Sequence, residues 1–350
     1  MSSKKVINSI QFLRGFAAFV VVFYHIGGYI KKNFPVDFLG DFFGFGFAGV
    51  DLFFVISGFI IHFTSKQYFG NPSKLKEYLI KRIVRVFPIY WIILTVMFFF
   101  SWLTSIISHR EVFGANYPHN LVSYFQTYLL LPLHPAINAV SWTLSYELFF
   151  YFIFSFLIIS KRLWFVPVCI LMVSAFNLIL IEQSGSKYFK FIFSGYNIEF
   201  MLGFLICKFY DKLKLSSILS LIILILALGI ILIWGNEVSD FDYIKRILVF
   251  GLSSGLILIS LLNLESNRTV KVPQFSILVG NASYVLYLIH FPMLLLLNKI
   301  PLLLGFKLSM DGVIFYNYFI VLVILCSSLT IHRFIEKPIS LFLSDKLKSK

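Results

Sequence analysis

The stretch "LRGFAAFVVVFYHIGGY", Leu13 to Tyr29, is apolar except for one arginine, Arg14, and one histidine, His25. Its length and hydropathy are those of a helix that crosses a bilayer, for which roughly 20 apolar residues suffice. The eleven positions from Arg14 to His25 amount on an ideal helix to about 1,100° of rotation, within about 20° of three full turns, and to about 16 Å of rise. The two side chains therefore share a face.

The rest of the chain has the same character. Of 350 residues, 59% are hydrophobic and 13% charged, and the mean hydropathy of +0.88 lies far outside the soluble globular range. The expected fold is all-α, a polytopic membrane protein. About ten apolar runs are long enough to cross, near residues 7–30, 43–64, 83–106, 142–160, 164–182, 190–208, 216–235, 245–263, 280–300 and 313–334. No internal repeat or soluble segment interrupts them, so one membrane domain over residues 1–350 is expected.

An even number of spans puts both termini on one side. About 20 basic residues fall on that side and about nine opposite, which makes the termini cytoplasmic by the positive-inside bias. The segment from Lys66 to Arg85, the loop "CKFYDKLKL" and the tail "SDKLKSK" carry this excess, while "GNEVSDFDY" on the other face is acidic. The net charge of +14 is thus a topology signal and not a nucleic-acid footprint. Cys169, Cys207 and Cys326 lie inside spans with no CxxC spacing, which indicates neither a disulfide framework nor a metal site. The first run outlasts a signal-peptide core and lacks a cleavage site, so it is expected to remain as a span. In the long non-cytoplasmic connection 107–141, "LVSYFQTYLLL" is too short and polar to cross and is expected to lie on the membrane or re-enter it.

An ionisable group inside a span costs about 2.5–3.5 kcal/mol on insertion scales, so each needs a partner, an interface or a use. On this topology Arg14 sits in the inner half of the bilayer and His25 in the outer half, two stations of a polar path suited to a long anionic ligand. The plain alternatives are a snorkelling Arg14 and a carbonyl-bonded core histidine. Asp51, in "FAGVDLFFVISGFII", comes to the depth of His25, where a carboxylate on one imidazole nitrogen raises the basicity of the other. It could equally cap its helix or pair with Lys31 or Lys32. Arg82 and Arg85, in "KRIVRVFPIYW", project to one side and could clamp phosphate bidentately or simply flank their span. Glu147, in "SWTLSYELFFYF", is expected near the outer surface, Glu199 in mid-span, and Glu336 at the cytoplasmic end beside a basic neighbour. Ser283, Tyr287 and His290, in "NASYVLYLIHFP", form a polar stripe that should face protein or water.

These residues, in this order, resemble the acyltransferase 3 family of bacterial integral-membrane acyltransferases, which includes O-antigen and other cell-surface polysaccharide O-acetyltransferases. The resemblance runs almost end to end: arginine, ten residues, histidine in the first span; "GFAGVDLFFVISGF" in the second; "RIVR" in the third; then "SWTLSYELFFYF", "SYVLYLIH" and "IEKP". It implies an acyl-CoA donor, usually acetyl-CoA, and transfer to a hydroxyl of a glycan such as the O-antigen of lipopolysaccharide, in the bacterial inner membrane. By position His25 matches the family's essential histidine, and Arg14, Arg82 and Arg85 its arginines tied to donor binding or catalysis. Some members carry a fused SGNH-type domain; none is expected here, which leaves transfer to the membrane domain itself or to a separate periplasmic partner, with a homo-oligomer as a further association.

The joint expectation places the CoA phosphates on Arg82 and Arg85, the pantetheine arm past Arg14 and the thioester at His25, acting as general base or as nucleophile. Asp51 would orient His25, Glu147 would serve the acceptor side, and Ser283, Tyr287 and His290 would line the path. Membrane lipids surround this machinery, and neither metal nor nucleic acid takes part. A transporter or flippase for a lipid-linked sugar or acyl group is the reading from another class; no inverted-repeat signature supports it.

Overall fold

The computed structural model describes residues 7–34, 38–39, 42–108, 117–180, 186–239 and 243–348, and among them there is no strand. Residues 109–116, near the start of the long connection, and residues 240–242 of "GNEVSDFDY" lie outside the described residues. The helices are α1 Asn8–Asn33, α2 Gly49–Ser65, α3 Leu75–Ser108, α4 Leu121–Tyr128, α5 Trp142–Ile159, α6 Phe165–Leu180, α7 Lys187–Ile192, α8 Tyr196–Phe209 and α9 Ser217–Trp234. They continue with α10 Tyr243–Ser266, which contains a π turn at Ile247–Gly251, α11 Gln274–Asn281, α12 Ser283–Leu297, α13 Met310–Ile331 and α14 Lys337–Lys348. Among the described residues nine helices are long and apolar enough to cross a membrane, ten if the bent pair α11 and α12 forms one span.

Several spans differ from their sequence outlines for identifiable reasons. The third starts at Leu75, and its 34 residues extend about 51 Å, well beyond a hydrocarbon core of about 30 Å. Its polar first turns are held as helix by pairs at helical spacing, Glu77 with Lys81 and with Lys74. The sixth is broken between α7 and α8, where the Ser194 hydroxyl accepts from the Tyr196 amide at 3.4 Å. The ninth is bent by 67° between α11 and α12. The tenth passes through a π turn at His332–Glu336 into α14. The stretch "LVSYFQTYLLL" gives α4, closed at its start by a reciprocal capping box of Asn120 and Ser123. Its eight residues span only about 12 Å, and Leu121, Val122 and Phe125 on it are exposed, so α4 does not cross.

The chain folds as two compact units. The first draws on Met1–Gln67, Val168–Ser184 and Phe193–Ser283, the second on Tyr68–Pro167, Gly185–Ile192 and Tyr284–Lys350. In the first unit α2 and α8 cross at backbone contact: a Cβ on Gly58 would fall on the Phe200 carbonyl oxygen, and one on Gly203 on the Val55 carbonyl oxygen. The same device joins α1 to α11, where Gly280 lies on the Gln11 carbonyl and Gly15 on the Gly280 amide. Where lipid is as apolar as leucine, such close packing takes the place of the hydrophobic effect in holding helices together. Leu13, Ala17, Val55, Phe59, Leu258 and Leu262 form the buried core of this unit. The start of α1 is tied down by Glu265, whose carboxylate accepts from the amides of Asn8 and Ser9, each at 2.9 Å, and from the Ser9 hydroxyl. That satisfies donors that a helix start otherwise leaves open.

In the second unit tyrosines stitch the elements together through backbone carbonyls. The Tyr78 hydroxyl donates to Tyr151, that of Tyr90 to Thr127 and that of Tyr284 to Val86, at 3.1, 2.7 and 2.7 Å.

The glycine crossings are testable. Gly58→Ala should destabilise the solubilised protein by about 1–3 kcal/mol through overpacking, lowering its melting temperature. Gly229→Ala on α9, where nothing lies within 4 Å, should leave it unchanged or raise it through the better helix propensity of alanine.

Candidate active site

Helix α1 runs unbroken from Asn8 to Asn33, so Arg14 and His25 keep the common face that their spacing predicts, about 16 Å apart along the axis. Both are half-buried. Arg14 Nη1 donates to Gln11 Oε1 at 3.2 Å, and the His25 ring lies 5.2 Å from the Tyr24 ring, centroid to centroid.

Asp51 stands in the first turn of α2 and is fully buried. Its Oδ1 accepts from Arg246 Nε at 2.8 Å and its Oδ2 from Arg246 Nη2 at 2.9 Å. The Arg246 guanidinium lies 5.0 Å from the ring of Phe47 and 5.2 Å from that of Tyr196. A planar guanidinium thus uses its fork on the carboxylate and its faces on aromatic rings. This corrects all three expectations for Asp51: the carboxylate neither orients His25, nor caps α2, nor pairs with Lys31 or Lys32. A carboxylate this deep needs a counter-charge that is buried with it, and Arg246 on α10 supplies one. Glu199 on α8 lies beside the pair, buried, with neither carboxyl oxygen accepting a hydrogen bond.

The second unit holds the other cluster. Arg82 is buried, and its guanidinium lies 5.3 Å from the Tyr78 ring and 5.2 Å from the Tyr151 ring. The Tyr151 hydroxyl donates to Glu147 Oε1, one turn earlier on α5. Arg85 is in electrostatic reach of Tyr151, Glu147, Glu336 and Tyr284. Glu147 therefore gathers with the arginine pair, a placement that counting residues from a span end did not give. Glu336 is engaged by His332 one turn before it, the basic neighbour expected for it.

The polar stripe faces protein. Ser283, Tyr287 and His290 are buried; the Thr143 hydroxyl donates to Tyr287 Oη at 3.1 Å, and His290 Nδ1 lies 3.3 Å from the Leu286 carbonyl oxygen. A further polar knot went unread in the sequence. His134, between α4 and α5, has Nε2 2.8 Å from Ser141 Oγ, and Nδ1 3.0 Å from the Leu131 carbonyl and 3.2 Å from Ser145 Oγ. Burial pushes its imidazole below the usual histidine range. Among the described residues no group of three His, Cys, Asp or Glu could hold a metal ion.

A family model described as "Acyltransferase domain", that of the acyltransferase 3 family, matches residues 7–332. The chain belongs to this family. It is 30% identical over 260 residues to the exopolysaccharide production protein ExoZ of Rhizobium meliloti, covering 72% of this chain and 77% of that one. It is 25% identical over 338 residues to the peptidoglycan O-acetyltransferase OatA of Listeria monocytogenes, covering 85% of this chain and 51% of that one. The chain thus spans about half the length of that relative. No solved structure matches. Family and relatives together make the protein a multi-pass membrane O-acyltransferase, and the transporter reading is set aside.

Within this acyltransferase the residues missed by sequence reading are Arg246, Tyr151 and His134. Tyr151 follows Glu147 by four residues, the spacing that puts two side chains on one helix face. Arg246 stands at the end of the eighth span next to the acidic loop, against the charge bias, which is itself a sign of a fixed partner.

Two outcomes follow from these contacts. Asp51→Asn takes away the carboxylate charge that meets two nitrogens of the buried Arg246 guanidinium and should cost about 3–5 kcal/mol, read as a lower melting temperature in detergent. The double variant with Arg246→Gln should recover part of that loss. Burial makes His134 take up its proton less readily in the fold than in the unfolded chain, so as pH falls below about 6.5 the unfolded chain binds more protons than the folded one, and stability drops with acidification. His134→Gln should flatten that slope in melts recorded from pH 7 down to pH 5.

Proposed function

We propose that this acyltransferase takes an acyl group, acetyl in the simplest case, from acyl-CoA in the bacterial cytoplasm and delivers it to a hydroxyl of an envelope glycan across the inner membrane. The observation that carries the proposal is the half-buried pair Arg14 and His25 on one face of an unbroken helix, in a chain of this family. The names of the relatives, exopolysaccharide production and peptidoglycan O-acetylation, favour a polysaccharide or lipid-linked glycan as acceptor, O-antigen chains included.

The reaction forms a bond between the acceptor oxygen and the thioester carbonyl carbon and breaks the C–S bond. The acceptor's proton leaves through a base, and CoA departs as thiolate. His25 serves this step in one of two ways: its neutral imidazole takes the acceptor proton, or it attacks the thioester to give an acyl-histidine that the acceptor then captures. Arg14 and the cluster of Arg82, Arg85 and Glu147 act on the donor. Asp51 acts at a distance, as a positioning residue that fixes α2 through Arg246. The whole of residues 1–350 works as one membrane domain.

Purified protein in nanodiscs, given radiolabelled acetyl-CoA and an isolated envelope polysaccharide, should release CoA and label the glycan. His25→Ala should lower the transfer rate by at least about 10²-fold, the scale of a lost general base, with an unchanged melting temperature. Retained full transfer would sink the role of His25. Rapid quench of the wild type separates the routes, since only the nucleophilic one yields a labelled protein intermediate.

A further inference from the structure

The expected placing of the CoA phosphates on Arg82 and Arg85 fits the side chains poorly, because Arg82 is buried with its guanidinium against two tyrosine rings and Arg85 is half-buried among carboxyl and phenol groups. A groove of about 660 Å³ in the second unit suggests another arrangement. It runs along the first turns of α3, past Lys76, Ile80, Lys81 and Val84 to Arg85, with Ser340 and Ser344 of α14 on its other wall.

We propose that this groove receives the donor lengthwise, with its phosphate end at Lys76 and its thioester end toward Arg85. The inference rests on acyl-CoA being the donor.

Three observations carry it. Charge is the first. The two carboxylates lining the groove are already engaged, Glu77 by Lys74 and Lys81 and Glu336 by His332. Lys76 is exposed, lines the groove and makes no ion pair or hydrogen bond with any described residue. An ammonium that no described residue engages, beside carboxylates already held by neighbours, is a ready site for phosphate.

Grading along the groove is the second. Lys76 and Lys81 are exposed, Arg85 is half-buried, and the aliphatic Ile80 and Val84 lie between them, each one turn from the next. Ser340 and Ser344 present hydroxyls at helical spacing opposite this aliphatic strip. A ligand that is polyanionic at one end and a thin amide-bearing chain along its length matches that order.

Length is the third. The nine residues from Lys76 to Arg85 rise about 13–14 Å, a distance a pantetheine chain can cover. The arginine, tyrosine and glutamate cluster then meets the acyl end of the donor, where a thioester oxygen gathers negative charge during transfer.

A phospholipid headgroup offers the same phosphate chemistry, so the test includes it. Calorimetric titration of the full chain in zwitterionic nanodiscs should show CoA binding more tightly than phosphate-free pantetheine. Lys76→Glu should weaken CoA by about tenfold or more, the loss of one charge-assisted hydrogen bond, and leave pantetheine binding and the melting temperature unchanged. Equal CoA affinity in wild type, Lys76→Ala and Lys76→Glu would overturn the proposal. So would competition in which phosphatidylglycerol displaces no CoA yet its retention falls in Lys76→Glu, since the groove would then hold lipid. A wild type that binds no CoA in any form would instead refute the donor reading itself.

Discussion

A charge taken out of water must take its partner with it, and much of this molecule is arranged around that demand. The fully buried Asp51 is tolerable because Arg246 meets both of its oxygens and because Phe47 and Tyr196 cover the faces of the guanidinium. The arrangement fixes three elements of the first unit at once: the start of α2, the start of α10 and the start of α8, where Tyr196 stands. The glycine crossings of α2 with α8 and of α1 with α11 then bring backbones to contact, so that packing and charge pairing specify one geometry.

The second unit meets the same demand differently. Arg82 and Arg85 are met by two tyrosines, a glutamate within reach of both α3 and α5, and the acid at the start of α14. The cluster is half-open rather than sealed, since Arg85 also borders the groove. A sealed pair holds a fold together; a half-open one remains able to answer a ligand. That difference separates Asp51, held on both oxygens by one buried guanidinium, from Arg85 of α3 at the groove.

Much of this was legible in the sequence, for a physical reason. Twenty apolar residues in a row have few fates, so spans such as α1, α5 and α9 could be outlined to within a few residues, and the Arg14 to His25 spacing could be trusted because one straight helix carries both. What could not be read was partnership between distant elements. Asp51 and Arg246 are 195 positions apart, and nothing local to either residue names the other. Nor could the gathering of Glu147 with Arg82 and Arg85 be read, because a position counted along α5 alone does not say which residues of α3 pack beside it. The breaks in the sixth and ninth spans were missed because the apolar runs continue through Ser194 and Ala282 without a proline or charge to mark them.

The length of α3 has a further consequence. A span of 18 residues such as α5, about 27 Å long, feels every change in bilayer thickness directly, at fractions of a kcal/mol per ångström of mismatch. A helix of 34 residues does not, since a thicker or thinner bilayer merely shifts the waterline along it by two or three residues, about 3–5 Å. The groove on its first turns has residues of α3 and α14 along its walls. Its shape is therefore insulated from the hydrophobic mismatch that growth temperature and lipid composition impose on the shorter helices around it.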